Sequence, residues 1–306
     1  MNADQLRTAF PDPIKVGHDG HVMFMDAMGD DAAIVQAARA SYQPAIGEEY
    51  SDTAVRRLIR YLMRNRHTSP FEMPELKLHL RMPIYVARQW VRHRKGDTSE
   101  DQVNMNEYSG RYGALIDSIE PTTLWRAQAT NNKQGSYGFI DPQAATDLSE
   151  AEGHLIASLG AFYRTALDLG VAKEQARKHM PVSNYTSMVW KMDLHNLLHF
   201  LGLRLDHHAQ REMRDFANAV AEIVKKWVPH TWEAFDDFRF HAVTWSKLEW
   251  AMLYLMNNPD LTPHEPLRFA KECGWLTAKN SERTEFEEKL ERIGMRPVWS
   301  AGDFTP

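Results

Sequence analysis

The sequence predicts an α+β fold: an antiparallel sheet flanked by helices, with a helical extension at its C-terminal end. Three observations carry that reading. Some segments alternate polar and apolar residues with a period of two, others repeat apolar residues at three and four, and the two kinds do not succeed one another regularly enough to wind a parallel sheet. The 306 residues are 43% apolar and 10% aromatic, enough for a substantial core. We divide them into a main domain over 1–240 and a helical extension over 241–306, where the composition turns Trp-rich and charged.

Taken in order, Val22–Met25 predicts a short strand, and Gly29 with Asp30 and Asp31 predicts a turn that caps a helix through Ala40. Thr53–Arg66 places Val55, Leu58, Ile59, Leu62 and Met63 on one helical face, and Pro70 ends the regular run. In Glu75–Met82 the residues Leu76, Leu78, Leu80 and Met82 point one way and Lys77, His79 and Arg81 the other, the pattern of a half-buried strand. Pro83 opens a helix to about Arg92, since the first helical turn does not need its missing donor. Gly135–Pro142 reads as a loop, Leu148–Leu169 as a helix, and Glu174–His179 as another ended by Pro181. Tyr185–Met192 is rich in strand formers, and Asp193 is placed to cap the next helix. Ala209–Trp227 is the clearest helix: Met213, Phe216, Val220, Ile223, Val224 and Trp227 form a core stripe. Glu285–Arg292 reads as a solvated helix face.

Composition narrows the function. With 36 basic and 41 acidic residues the net charge is −5, and no block of Lys and Arg offers the concentrated basic face that duplex binding needs, so nucleic acid is not expected as a partner. A single cysteine, Cys273, excludes disulfide frameworks, CxxC pairs and thiolate zinc sites and fits a reducing compartment. No secretory signal opens the chain and no apolar run is long enough for a bilayer span, so we expect a cytoplasmic protein without membrane contact.

No GxGxxG follows a strand and no Gly-Lys-Ser/Thr loop exists, so a bound nucleotide must be held by other groups. Arginine is the alternative, because its planar fork matches phosphate bidentately and stacks on flat rings. Arg92, His93 and Arg94 end one predicted helix, Arg111 follows, and Arg177 and Arg204 stand in later ones. Taken singly, each arginine reads as a surface ion pair of little energetic weight. Taken together, Gln89, Arg92, Asn106, Glu107, Ser109 and Arg111 supply the donors and acceptors that a polar heterocycle with a phosphate requires.

These segments resemble the flavin-dependent thymidylate synthase family, which uses FAD in place of a cysteine nucleophile. The likeness runs from about residue 15 to 238 through Ala37–Ser41, the HTSPFE run at His67–Glu72, PIYVARQWVRHR at Pro83–Arg94, NEYSGRY at Asn106–Tyr112, Arg177, DLHNLLHFLGLR at Asp193–Arg204, and HAQREMR at His208–Arg214. Two departures stand out: fourteen residues separate Arg94 from Ser109, more than the family pattern has, and Met73 replaces the histidine that commonly closes the HTSPFE run. The resemblance implies that 1–240 is the catalytic domain. It implies dUMP binding by Gln89, Arg92, Glu107, Ser109, Gly110, Arg111, Arg177 and Arg204, with Arg204 the main catalytic side chain through stabilisation of an anion at N3 of the pyrimidine. It implies FAD contacts at His67, Ser69, Arg92, His93, Arg94, Asn106, Glu107, Asp193, His195, His199 and His208. It also implies NADPH and 5,10-methylenetetrahydrofolate as co-substrates, dTMP as product, and a homotetramer whose active sites are shared between subunits. The single thiol agrees with this, because the thiolate addition of ordinary thymidylate synthesis has no matching cysteine in the resembling region.

Other readings remain at this point. A hydroxymethylase acting on dUMP with the same cofactors would carry the same residues. His195 and His199 have the i, i+4 spacing of a zinc-binding helix, with His207 or His208 as a third ligand, but Asn196 stands where a zinc hydrolase of that kind needs its glutamate base. A catalytically inactive nucleotide-binding protein is disfavoured by the presence together of Arg92, Ser109, Arg111 and Arg204.

Overall fold

The structure is a computed structural model that describes residues 1–40, 50–93, 104–113, 118–129, 135–262, 264–277 and 279–300. It divides into two compact units, Met1–Phe240 and His241–Pro306. In the first, strands β1 (Ile14–Val16), β2 (Gly20–Met28), β3 (Glu75–Pro83), β4 (Met105–Glu107) and β7 (Tyr185–Asp193) form an antiparallel sheet in the order β1-β2-β3-β7-β4. Strands β5 (Arg126–Gln128) and β6 (Ser136–Phe139) form a separate hairpin.

Alternation in β3 decides how the sheet sits. Leu76, Leu78, Leu80 and Met82 are fully buried, and the register sets Leu78 opposite Trp190 and Leu80 opposite Met188, so both central strands present one apolar face. On the other face His79 lies between His21, at 2.9 Å, and the Ser187 hydroxyl, at 2.7 Å, and Arg81 pairs with Asp19. The apolar face packs beneath helices α1 (Ala3–Ala9), α2 (Asp31–Arg39), α3 (Asp52–Arg64), α4 (Ile84–Trp90), α7 (Leu194–Arg204), α8 (Arg211–Trp227) and α9 (Pro229–Phe235), whose buried side chains share one core with the strands. The predicted stripe of α8 is buried throughout, and Phe216 presses so close to the β1–β2 turn that a Cβ on Gly20 would stand 2.7 Å from its ring. Helices α5 (Pro142–Asp168) and α6 (Lys173–Ala176) precede β7 and pack on each other.

The second unit contains α10 (Lys247–Asn257), α11 (His264–Glu272) and α12 (Ser281–Arg292) around its own core of Met252, Ala270, Trp275, Phe286 and Leu290. There Lys289 Nζ donates to the buried Glu249 at 2.6 Å. Among the described residues no helix is long and apolar enough to cross a membrane.

Several sequence expectations are corrected. Gly135–Pro142 is not a loop throughout, because Ser136–Phe139 pairs with β5 as a short, exposed strand that carries no alternation, and α5 begins already at Pro142, where Asp141 caps it. Pro83 is the last residue of β3 and the N-cap of α4 rather than its first helical residue, and the helix ends at Trp90. The helix predicted over Glu174–His179 is a single α turn followed by a 3-10 turn at Arg177–His179. The segment Glu285–Arg292 is not wholly solvated, since Phe286 and Leu290 are buried one turn apart. Both α1 and β1 are additions to the expected elements.

Leu78 shows the energetic weight of this arrangement. Leu78→Ala is expected to lower unfolding stability by about 2–5 kcal/mol in a denaturant titration, whereas Lys77→Ala, one position along on the opposite face, should stay within about 1 kcal/mol. Equal losses at the two positions would contradict the assigned register.

Candidate active site

The two central strands each hand over to a helix. Asp193 closes β7 and caps α7, accepting from the Asn196 amide at 3.0 Å through Oδ1 and from Asn196 Nδ2 at 2.8 Å through Oδ2. Pro83 closes β3 and caps α4. Since the strands are antiparallel, with Pro83 opposite Tyr185 and Glu75 opposite Asp193, the helices depart from opposite ends of the pair. They meet at Trp90, whose ring centroid lies 4.5 Å from that of Phe200 and 5.3 Å from that of Trp190. One turn beyond Phe200, Arg204 Nε donates to His93 Nε2 at 2.8 Å, while Phe200 stands edge-on to the His93 ring at 5.0 Å.

Burial first, then the charge of Arg204 and the proximity of His199, hold the His93 pKa down to about 4. The ring is therefore neutral near pH 7, with Nε2 as acceptor and its proton on Nδ1. Arg204 uses Nε on His93, and its two Nη groups have no hydrogen-bond partner among the described residues. Arg92, next to His93 in sequence, is exposed and also has no side-chain partner among the described residues. Gln89 donates to Gln210, which donates to Glu212 at 2.9 Å, and Arg126 secures that carboxylate at 2.8 Å.

A second group forms beyond β4. Thr186 Oγ1 donates to Glu107 Oε1 at 2.6 Å, Asn106 is exposed opposite Val189, and the Tyr108 amide donates to the Ser187 carbonyl at 2.7 Å. The Ser109 hydroxyl accepts from the Arg111 amide at 3.3 Å, in a turn that buries Gly110. The Arg111 guanidinium lies 3.8 Å from Glu174, and Arg177 follows on the adjoining 3-10 turn, half-buried and without a side-chain partner among the described residues.

The third group is a cavity of about 390 Å³. Its floor includes Leu62, Met63, Phe71, Leu198, Phe235 and Phe240; His67, His195 and His199 line it, together with Arg66, Asp206 and Arg239. Asp206 accepts from the His208 amide and pairs with its ring, both at 2.8 Å, which lowers the pKa of the carboxyl group against the effect of its burial.

The expected residues thus fall into three groups, not one. No hydrogen bond or ion pair among the described residues joins Arg92 to Arg111 or Arg177. Asp193 is a 1%-exposed helix cap and not part of the cavity wall, Ser69 is the exposed first residue of the 3-10 turn whose Phe71 lines it, and Arg94 lies outside the described residues, as does the inserted stretch 95–103. A zinc site on His195 and His199 is not assembled: the cluster of potential metal ligands among the described residues is Asp206, His207 and His208, which includes neither. Sequence reasoning missed Arg66 and Arg239. Arg66 carries a signal in hindsight, because it ends a clear helical stripe where glycine is the usual residue; Arg239 carries none.

The chain as a whole is similar to known proteins. The family model described as "Thymidylate synthase complementing protein" matches residues 23–230. A flavin-dependent thymidylate synthase of Thermus thermophilus is 45% identical over 252 residues, which cover 82% of this chain and 88% of that one. The namesake enzyme of Dictyostelium discoideum is 40% identical over 246 residues, 77% and 78% of the two chains. Among solved structures, the UMP/dUMP methylase PolB of Streptomyces cacaoi, bound with 5-Br dUMP, superposes with a TM-score of 0.64 at 31% identity, covering 74% of this chain and 98% of that one.

Because the folded pKa of His93 is depressed, the unfolded chain takes up the proton first, and stability falls as pH drops from about 6.5 toward 4. Imidazole 15N shifts should show a neutral His93 at pH 5. Protonation with a midpoint at the ordinary histidine value would contradict the Arg204 contact.

Proposed function

The chain belongs to the flavin-dependent thymidylate synthase family, and from that premise we propose that it converts dUMP to dTMP with FAD as cofactor, 5,10-methylenetetrahydrofolate as one-carbon donor and NADPH as reductant. The observation that carries this reading is the Arg204–His93 contact, which fixes a cation at the junction of two helices with two donor groups unused among the described residues.

The chain's residues fit such a cofactor: the cavity combines an apolar floor, suited to a flat ring system, with imidazole and guanidinium groups suited to phosphates and ring heteroatoms. His67, His195 and His199 would hold it, with His93 and His208 at the margins. A bound flavin supplies the redox chemistry that lets uracil be methylated without a thiolate. The lone Cys273 suits no such role, since burial and the carboxylates of Glu272 and Glu282 push its thiol up, away from the reactive thiolate.

Arg204 would stabilise negative charge developing on the pyrimidine, and neutral His93 is what lets it do so, because an imidazolium there would repel the guanidinium and lose the hydrogen bond. Arg92, Arg111 and Arg177 would bind the nucleotide phosphate, with Gln89, Glu107, Ser109 and Gly110 around the base and sugar. On a single chain these residues form two groups, which supports active sites completed by neighbouring subunits of a homotetramer. We place the enzyme in the cytoplasm, where one unpaired thiol is chemically at ease.

Purified protein should show flavin absorption and oxidise NADPH in a dUMP-dependent way; colourless protein that takes up no added FAD would overturn the reading. Arg204→Ala should retain flavin and lose on the order of 10²–10³-fold in dTMP formation, and near-normal turnover would remove its assigned role. Arg177→Ala should weaken dUMP binding by about tenfold or more, and an unchanged Kd would take it out of the phosphate site.

A further inference from the structure

We propose that Arg66 and Arg239 form a phosphate clamp at the cavity rim, holding a phosphate group of a nucleotide cofactor whose ring system lies on the apolar floor. The proposal rests on the reading that the cavity serves a flavin enzyme, and it adds two residues that neither the resembling segments nor the expected site contained.

Arg66 is the one non-glycine residue with positive φ among the described residues, at +60°. Its amide donates to the Met63 carbonyl at 3.3 Å and the next amide, of His67, to the Leu62 carbonyl at 3.0 Å, the pair of bonds that closes a helix when its last turn reverses into the left-handed region. That position favours glycine, because a Cβ is crowded there. An arginine held in this conformation carries backbone strain that glycine would avoid, which turns attention to what its side chain does at the cavity.

Arg239 arrives from a π-helical turn at Asp236–Phe240, a distortion that recurs at functional sites. Its Nη2 donates to the same Met63 carbonyl at 2.9 Å, so the two arginines are tied to one backbone oxygen. Burial, and then the charge of Arg66, lower the pKa of Arg239, as expected of like charges brought together. Neither guanidinium has a carboxylate partner among the described residues. The acids nearby are engaged: Arg60 holds Glu233 at 2.8 Å and Asp237 at 2.6 Å, and Asp206 across the cavity is paired with His208. Two cations converge on the wall of an apolar cavity, and an anion would relieve their repulsion.

Phosphate is the anion that matches both the paired forks and an aromatic floor, and it has two sources here: the diphosphate of the flavin dinucleotide and the extra phosphate of the nicotinamide reductant. Full-length protein freed of bound nucleotide is titrated with FAD, ADP, adenosine 2′-monophosphate and adenosine, as wild type, R66G and R239Q. Wild type should prefer one of the phosphate-bearing probes to adenosine, and each variant should weaken that probe roughly tenfold to a hundredfold while leaving adenosine unchanged. Loss confined to FAD and ADP assigns the clamp to the diphosphate; loss confined to the 2′-monophosphate assigns it to the reductant. R66G should also raise the Tm, since glycine relieves the strain, and this gain beside a binding loss separates a ligand role from a structural one. Phosphate probes bound equally by wild type and both variants would overturn the clamp. Wild-type protein that binds ADP through both arginines but takes up no FAD would instead sink the flavin reading and leave the clamp standing.

Discussion

The Arg204–His93 contact depends on the packing of Trp90 and Phe200 against Trp190. Trp90 comes from the helix that follows one central strand, Phe200 from the helix that follows the other, and Trp190 from the second strand itself, and all three rings are buried with centroid separations of 4.5–5.7 Å. Aromatic contacts of this kind add to the large apolar area that the rings bury. Among the described residues the buried Trp90 indole N–H has no hydrogen-bond partner, a cost the packing has to offset. What the arrangement fixes is the distance between two helix ends, and with it the Arg204–His93 hydrogen bond.

That bond joins fold to chemistry. A guanidinium needs no acidic partner to stay charged, so a neutral imidazole can orient it without cancelling its field. An aspartate in place of His93 would hold Arg204 as firmly but would oppose the stabilisation of an anion on the substrate. Burial beside Phe200 keeps the ring neutral, so the core that positions the arginine also sets the protonation state of the group that orients it.

Much of this was legible in the residues. Leucines at every second position from Leu76 announced a strand with one buried face, Asp193 announced a cap, and Met213 to Trp227 announced the long core helix, because each signal is local and repeats over several residues. The pairing of β5 with β6 was not legible, since both strands are short and the exposed β6 bears no periodicity. Nor was the division of the residues expected to bind nucleotide into groups around Arg204 and around Arg111, which depends on where β4 pairs along β7. Arg66, through its amide, and Arg239, through its guanidinium, share the Met63 carbonyl, a contact that no spacing encodes.

The proposed reaction asks a cation oriented by a neutral imidazole to stabilise charge on uracil while its C5 receives the one-carbon unit of methylenetetrahydrofolate, with a flavin and no thiolate. The most direct test is the mass of the nucleotide recovered after the purified protein is incubated with dUMP, methylenetetrahydrofolate and NADPH. The account predicts dTMP, carrying a methyl group at C5. Recovery of unchanged dUMP, or of a product one oxygen heavier than dTMP, would contradict it.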